Sequence, residues 1–226
     1  MSLDRKGEIA AKLTEVNERI TSAAAKANRD PSEIHLIVVT KTFPLTDLNY
    51  LYELGVRDFG ENRDQEAREK VSLLPADINW HFQGQIQSNK LKSITEWAKY
   101  IHSIDQFKYA KMVSEFAGDQ SKSIFLQVSL DKIPESRGGV DPVKLHDLAN
   151  QVSGLPNINL MGLMAVAPLE EDTDEAFERL AQIHSAFMQD FPEAKSLSAG
   201  MSGDYVSAIG HGATHLRIGS SILGNR

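Results

Sequence analysis

Eight short segments of apolar and β-branched residues alternate along this chain with segments of helical periodicity. Such alternation predicts parallel strands, because each helix returns the chain to the edge of the sheet at which the strands begin. The predicted strands are 34–41, 55–62 (a turn and a short strand), 79–84, 100–105, 123–130, 160–166, 196–201 and 215–218. Eight strands are the number that closes a barrel, so we predict an α/β fold, a single (β/α)8 TIM-type barrel domain over residues 1–226.

The predicted helices connect these strands, and the first is an extra N-terminal helix. They are 4–27, 45–54, 63–74, 87–97, 106–118, 141–153, 173–189 and 203–210. In the first, Ile9, Leu13, Val16 and Ile20 form one apolar stripe at helical spacing. An open doubly wound sheet is the alternative fold. Because no G-x-G-x-x-G follows the first strand and no P-loop motif occurs, the barrel is favoured.

Composition excludes several classes of function. With 31 acidic and 24 basic residues, a formal charge of −7 and no dense Lys/Arg stripe, the chain has no expected nucleic-acid partner. It contains no cysteine, which excludes disulfides, thiolate metal sites and cysteine nucleophiles. The N-terminus has no signal-type apolar region, and no apolar run approaches the ~18 residues of a membrane span. We therefore expect a cytoplasmic protein without a membrane partner.

Lys41 ends the first predicted strand, after a run of apolar and β-branched residues. A lysine carried to the mouth of a barrel is expected to be partly desolvated, which lowers its pKa and frees the amine for imine formation. Aldehyde cofactors and carbonyl substrates both react with such an amine. A lysine at a strand end is also common as a solvated loop residue. A covalent role for Lys41 therefore needs support from the residues at the other strand ends.

The tails of the seventh and eighth strands are rich in glycine and serine. The loops after these strands form the usual phosphate site of barrels, so we expect the Ser202 hydroxyl, the N–H groups of Gly219 and Ser220, and the start of helix 203–210 to converge. The alternative is that the glycines only make tight turns. Two such tails, in register with a lysine at a strand end, favour a phosphate-binding site over simple turns.

Several segments together resemble the pyridoxal-phosphate homeostasis proteins, the YggS/PROSC-like family, which is related to the N-terminal barrel of alanine racemase. The resemblance covers nearly the whole chain. The matching segments are Val39–Thr42, Phe59–Asn62, Trp80–Gly84, Gln87–Lys90, Gly162–Ala165, Leu197–Ser202 and Arg217–Gly219.

This resemblance implies pyridoxal 5′-phosphate as the cofactor. The cofactor-binding residues that it implies are Lys41, Asn62, Met201, Ser202, Arg217, Gly219 and Ser220. Lys41 would form the internal aldimine, Arg217 would face the pyridine nitrogen, and Ser202, Gly219 and Ser220 would bind the phosphate. Asn62 and Met201 would lie beside the cofactor.

An arginine facing the pyridine nitrogen bears on mechanism. Arg217 is always cationic and can only donate a hydrogen bond, so it leaves that nitrogen unprotonated and disfavours transaminase and decarboxylase chemistry. Racemisation needs a second base, which barrel racemases take from a C-terminal β-domain of the partner subunit, whereas this chain ends eight residues after Ile218. The resemblance therefore implies a carrier that stores or delivers pyridoxal phosphate, without catalytic residues and with indirect effects on amino-acid and keto-acid metabolism. A weak amino-acid racemase and a Schiff-base aldolase are the alternatives.

The same reading predicts a monomer that contacts pyridoxal-phosphate-dependent apoenzymes transiently. One departure is Arg137, in Ser136–Gly139, where relatives often carry Ser-Lys-Ser-Gly; an arginine keeps the charge but forms no imine at ordinary pH. No metal site is predicted, because Gly212 separates His211 from His215 and no acidic ligand is evident nearby. His81 is predicted to be a hydrogen-bonded strand residue rather than a base.

Overall fold

A closed barrel of eight parallel strands, which follow one another around the ring in sequence order, forms the centre of the molecule. The computed structural model describes residues 4–131 and 138–225. The strands are β1 (His35–Val39), β2 (Asp58–Glu61), β3 (Asn79–Phe82), β4 (Tyr100–Ile104), β5 (Lys122–Gln127), β6 (Ile158–Met164), β7 (Ser196–Ser198) and β8 (His215–Ile218). Strands β1 and β8 pair from His35–His215 to Val38–Ile218 and close the ring. The predicted (β/α)8 barrel is confirmed.

The helices connect successive strands and cover the barrel. The α-helices of the described residues are α1 (Arg5–Lys26), α2 (Leu45–Glu53), α3 (Asp64–Leu73), α4 (Leu91–Trp97), α5 (Phe107–Phe116), α6 (Leu145–Ser153), α7 (Thr173–Asp190), α8 (Tyr205–Gly210) and α9 (Ser220–Leu223). Three short 3-10 turns occur at Pro31–Glu33, Ser88–Lys90 and Pro142–Lys144.

Helix α1 is the predicted extra helix. The Asp4 carboxylate accepts the Gly7 N–H at 2.8 Å and caps the helix, and the predicted apolar stripe is buried. Arg5 then donates to the Asp47 carboxylate of α2 at 2.7 Å and to the Leu223 carbonyl of α9 at 2.9 Å. Helix α2 follows β1 and α9 follows β8. Helix α1 therefore links the two helices that lie beside the β1–β8 pairing, where the barrel closes.

The barrel interior contains buried polar side chains among apolar ones. The buried polar set that the strands turn inward includes His81, His102, Ser198, His215 and Arg217. The ring of Phe125 stacks on His102 with centroids 4.4 Å apart and meets His215 edge-on at 5.1 Å. Buried polar groups need hydrogen-bond partners, so we expect the interior to contain a network of hydrogen bonds as well as packed side chains.

Gly162 shows how tightly two strands approach. Its φ is +148°, and a Cβ placed there would lie 1.8 Å from the Ser196 carbonyl oxygen of β7. The pairing of β5 with β6 shifts by one residue between Ile124 and Phe125, opposite this position. Only glycine fits this conformation and this spacing.

Element ends differ from the predictions. The seventh strand stops at Ser198 rather than at residue 201, because Gly200 at φ +90° turns the chain away from the ladder. The following helix begins at Tyr205 rather than at residue 203. Asp141 caps a 3-10 turn through the Val143 N–H, and the α-helix starts only at Leu145. Helix α9 was not predicted, because four residues are too few for a periodic signal.

No helix among residues 4–131 and 138–225 is long and apolar enough to cross a membrane. The predicted loss of imine chemistry at Arg137 concerns a residue that lies outside the described ranges.

Candidate functional site

Lys41 lies in a turn directly after β1, at the carboxyl end of the barrel strands. Both Lys41 and Thr42 are exposed, whereas Thr40 before them is fully buried. Thr42 has a φ of +68°, in the left-handed region that β-branched residues rarely adopt. The predicted desolvation of Lys41 is therefore wrong: β1 ends at Val39, two residues earlier than the strand pattern indicates, and Lys41 is exposed to solvent.

A buried network anchors both neighbours of Lys41. The Lys70 ammonium, on α3, donates to the Thr40 carbonyl oxygen at 2.7 Å, to Glu61 Oε1 at 2.7 Å and to Glu66 Oε1 at 2.6 Å. The Thr40 hydroxyl also donates to Glu61 Oε1 at 2.7 Å, and the Thr42 N–H donates to Glu66 Oε1 at 2.5 Å. We name Glu61, Glu66 and Lys70 the clamp, because they hold the residue before Lys41 and the residue after it.

The clamp places two carboxylates against one ammonium in a buried setting. Burial raises the pKa of the Glu61 carboxyl, although the Lys70 charge and the hydrogen bonds from Lys70 and Thr40 lower it. Glu61 Oε2 is buried and has no hydrogen-bond partner among the described residues. The clamp was not among the predicted site residues. The spacing of Glu66 and Lys70, four residues apart on a helix, is the signal that pointed to part of it.

Arg217 projects from β8 into the barrel. It is 4% exposed, and its two Nη atoms donate to Ser198 Oγ at 2.7 Å and to the Ala165 carbonyl oxygen at 2.9 Å. Burial lowers the pKa of this guanidinium to about 10, so it remains a cation at neutral pH. In the β1–β8 pairing Arg217 lies beside Ile37, four residues before Lys41 along the neighbouring strand. An oriented cation and an amine thus come from adjacent strands.

The tails of β7 and β8 meet at Ser202. Ser202 Oγ accepts the N–H of Gly219 at 3.3 Å and the N–H of Ser221 at 3.2 Å, and the Ser221 hydroxyl donates to the Ser202 carbonyl oxygen at 3.4 Å. A Cβ on Gly219 would lie 3.1 Å from the Val39 carbonyl oxygen, so glycine allows the β8 tail to approach the end of β1. Ser221, which the predicted site omitted, is part of this arrangement.

Other predicted residues lie at the same end of the barrel. Ser220 is exposed as the first residue of α9. Met201 is 38% exposed in the turn after β7, and its N–H donates to Asp204 Oδ1 at 2.5 Å.

Two side-chain amides at the barrel mouth have buried atoms without partners. Asn62 Oδ1 and Gln83 Nε2 are each buried and unpaired among the described residues. Gly60 makes room for one of them, because a Cβ there would lie 2.2 Å from Gln83 Nε2. An unpaired buried acceptor and an unpaired buried donor fit a site that takes a polar ligand.

The structure also bears on the predictions made for two histidines, His81 and His211. His81 bonds to Asp58 and His102, which confirms it as a hydrogen-bonded strand residue. His211 has an acidic neighbour that the sequence did not reveal, since its Nε2 lies 2.9 Å from Asp174 Oδ1. Within the described ranges, no three His, Asp or Glu side chains are grouped so as to hold a metal ion.

Comparison with known proteins places this geometry in a family. The family model for the alanine racemase N-terminal domain matches residues 13–226. A pyridoxal phosphate homeostasis protein of Mycobacterium tuberculosis is 38% identical over 99% of this chain and 95% of its own length. Another, of Corynebacterium glutamicum, is 40% identical over 92% of this chain and 97% of its own. The chain belongs to the pyridoxal phosphate homeostasis protein family.

A solved structure agrees with this assignment. PipY of Synechococcus elongatus PCC7942, in a structure with pyridoxal phosphate bound, superposes with a TM-score of 0.82 at 32% identity, covering 96% of this chain and 100% of PipY. The resemblance read from the sequence motifs is thereby confirmed. So is the relation of the fold to the alanine racemase N-terminal domain.

Proposed function

We propose that this protein binds pyridoxal 5′-phosphate and takes part in its intracellular homeostasis, holding the cofactor and releasing it to other proteins. Family membership and the cofactor in PipY support the proposal. The observation that carries it is that Lys41 follows β1, that the buried Arg217 lies on the adjacent strand β8, and that Ser202 joins the tails of β7 and β8.

The residues present fit the cofactor group by group. The Lys41 amine would hold the aldehyde carbon covalently, and Arg217 would donate a hydrogen bond to the ring nitrogen. Ser202 and the N–H groups of Gly219 and Ser220 would hold the phosphate, since backbone N–H groups and hydroxyls are good phosphate donors. The unpaired atoms of Asn62 and Gln83 offer an acceptor and a donor to the remaining polar groups.

We infer a carrier rather than an enzyme with a dedicated reaction. When bound, the cofactor supplies a reactive aldehyde and, where its ring nitrogen is protonated, an electron sink. Arg217 stays protonated and therefore has no lone pair to accept a proton from that nitrogen, whereas a carboxylate in its place would keep the nitrogen protonated. The exposure of Lys41 supports exchange, because incoming amines reach it without any opening of the barrel.

Three further features belong to the same proposal. Residues 1–226 act as one cofactor-binding unit, the working form is a monomer in the cytoplasm, and pyridoxal-phosphate-dependent apoenzymes contact it transiently at the mouth of the barrel. The exposed turn of Lys41 at that mouth supports transfer by direct contact.

The test is the visible absorption spectrum of the purified protein after incubation with pyridoxal phosphate, recorded before and after borohydride. A yellow band that borohydride abolishes is expected in the unmodified protein and in Lys92→Ala, a control at an exposed lysine of α4. Lys41→Ala is expected to lack the band. No band in the unmodified protein would refute cofactor binding, and a band retained by Lys41→Ala would refute the assigned lysine.

The match to the alanine racemase N-terminal domain supports one alternative, a weak amino-acid racemase. Incubation of the loaded protein with alanine in heavy water distinguishes the two functions. A carrier leaves the α-hydrogen of alanine in place, whereas a racemase exchanges it for deuterium at a rate that depends on Lys41.

A further inference from the structure

A continuous row of hydrogen bonds runs through the barrel interior and ends at Arg217. Arg217 Nη1 lies 2.7 Å from Ser198 Oγ, and that hydroxyl lies 2.9 Å from His102 Nδ1. His102 Nε2 lies 2.9 Å from His81 Nδ1, and His81 Nε2 lies 3.0 Å from Asp58 Oδ1. We name these five residues the core chain.

The core chain connects opposite ends of the barrel. Asp58 is the first residue of β2, so it lies at the amino end of the strands, and its side chain is 31% exposed. Arg217 lies near the carboxyl end of β8. Between them the core chain passes from His81 on β3 to His102 on β4, and then crosses the interior to Ser198 on β7. The middle residues are buried, and Tyr100 and Phe125 stack on the two imidazoles.

Both imidazoles of the core chain are held neutral. Burial lowers the pKa of His81 more than the hydrogen bond and charge of Asp58 raise it. Burial also lowers the pKa of His102 well below its usual value, and the positive charge of Arg217 acts in the same direction. For Asp58, burial works against ionisation, but the pKa is lowered overall, and the hydrogen bonds from His81 and Asn79 both act in that direction. The core chain therefore ends in a carboxylate at Asp58 and in a guanidinium at Arg217.

Neutral imidazoles leave only one arrangement of protons. The Asp58 carboxylate can only accept, so His81 carries its proton on Nε2 and has a bare Nδ1. That bare nitrogen must accept from His102 Nε2–H, which leaves His102 Nδ1 bare to accept the Ser198 hydroxyl proton. The Ser198 oxygen then presents its lone pairs to Arg217, which can only donate. Every donor thus points from the cation toward the anion.

This direction matters because Arg217 is a buried cation with neutral acceptors. Its bonds are to a hydroxyl and a carbonyl oxygen, and in the described part of the chain the charge of Asp204 acts on it only from beyond salt-bridge distance. Buried charges are costly unless they are compensated. Aligned hydrogen bonds polarise one another in a low-dielectric interior, so a carboxylate at the far end stabilises the cation through the bonds between them.

We propose that Asp58 is a positioning residue for Arg217 and acts through His81, His102 and Ser198, so that the amino end of the barrel sets the hydrogen-bonding state of the arginine at the carboxyl end. The proposal deepens the proposed function, since Arg217 is the residue assigned to the ring nitrogen of the cofactor. Asp58 keeps the Ser198 hydroxyl proton turned toward His102 and away from the guanidinium. Without that anchor both proton directions become available, and the Ser198 contact that orients Arg217 is weakened.

The decisive experiment needs no cofactor. Nitrogen NMR of the labelled full chain near neutral pH reads which ring nitrogen of each histidine carries the proton. In the unmodified protein we expect neutral His81 and His102, both with the proton on Nε2. In Asp58→Asn, whose amide can donate as well as accept, both histidines are expected to show a mixture of tautomers. Asp77→Asn, a control at an exposed carboxylate that bonds Tyr52 and Arg57, is expected to leave both unchanged.

Two results would overturn the proposal. One is a proton on Nδ1 of His102 in the unmodified protein, which decides the matter even if Asp58→Asn does not fold. The other is a tautomer change in Asp58→Asn that is confined to His81, because the effect would then stop before reaching Ser198.

A second measurement joins the core chain to the cofactor. Asp58→Asn is expected to bind pyridoxal phosphate about fivefold more weakly than Asp77→Asn, within the range of ordinary coupling between sites. Equal affinity of the two variants would show that Asp58 does not act on the cofactor through Arg217. Absence of binding by the unmodified protein would refute the proposed function and leave the tautomer result standing.

Discussion

The Lys70 ammonium donates to the main-chain carbonyl oxygen of Thr40 at 2.7 Å, immediately before the lysine assigned to the cofactor. The same ammonium binds Glu66, whose carboxylate accepts the N–H of Thr42 on the other side of that lysine. The backbone around Lys41 is therefore fixed from α3 even though the Lys41 side chain is exposed. An exposed amine on a fixed backbone is suited to repeated capture and release.

Replacing Lys70 tests the clamp. Lys70→Met leaves the fully buried Glu61 carboxylate without its cation, and breaking a buried pair in this way typically costs ~3–5 kcal/mol. We expect the free energy of unfolding, measured in urea, to fall by that amount. Borohydride-trapped incorporation of pyridoxal phosphate at Lys41 should also become slower. Lys92→Met is the matched control at an exposed lysine, and a Lys70→Met protein as stable as this control would contradict the role of the clamp.

Gly162 is predicted to tolerate no side chain. Gly162→Ala would place a Cβ 1.8 Å from the Ser196 carbonyl oxygen at a φ of +148°, so β6 and β7 would have to separate. We expect a loss of more than about 3 kcal/mol in the free energy of unfolding, or failure to fold. At Gly203 an added Cβ meets nothing within 4 Å, so Gly203→Ala should stay within about 1 kcal/mol of the unmodified protein. Comparable losses in the two variants would argue against the strand spacing described.

Stability is expected to fall as the solution becomes acidic, before carboxylates titrate. Burial lowers the pKa of His81, His102 and His215, the last to about 3, whereas an unfolded chain protonates histidine near pH ~6.5. Below that pH the unfolded state binds more protons, so each buried histidine removes up to about 1.4 kcal/mol per pH unit until its folded pKa is reached. The raised pKa of Glu61 has the opposite effect on stability, but it comes from one group against three histidines.

Urea unfolding at about pH 7.5, 6.5 and 5.5 measures this dependence. Most of the decrease should lie below pH ~6.5. Equal stability at all three values would show that the histidines are not buried in their neutral forms.

Arg217 should matter more to the cofactor than to the fold. Arg217→Met removes a buried cation together with its desolvation cost, and it also removes two hydrogen bonds, so we expect the two effects on stability to offset each other in part. Loss of a hydrogen bond from a charged donor, worth about 1.5–3 kcal/mol, should weaken binding of pyridoxal phosphate at least about tenfold. Titration followed by absorbance measures the affinity, with exposed Arg68→Met as the control. Unchanged affinity would remove Arg217 from the binding site.

The sequence could predict the residues that meet at strand ends. Lys41, Ser202 and Gly219 follow strands and Arg217 lies one residue before the end of β8, and in a parallel barrel all such ends meet at one mouth once strand number and order are known. The exposure of Lys41 could not be predicted, because it depends on where the chain turns after Val39.

Contacts that depend on rotation and stagger could not be predicted either. Lys70 reaches Glu61 only because of the way α3 is rotated about its axis, and a helical pattern does not give that angle. The core chain takes its side chains from five strands, and His102 faces Ser198 only through the relative stagger of β4 and β7. Four of its members looked like ordinary strand residues in the sequence.

The closure of β1 against β8 also bears on how the protein is made. Translation delivers Lys41 early, but β8 and the tail that carries Ser221 emerge from the ribosome only after the other seven strands. Until then the first strand has one unpaired edge, and α1 has no α9 to which Arg5 can bind. A nascent chain therefore displays the amine long before the guanidinium and the phosphate loops exist. Capture of the cofactor is accordingly expected to follow translation rather than accompany it.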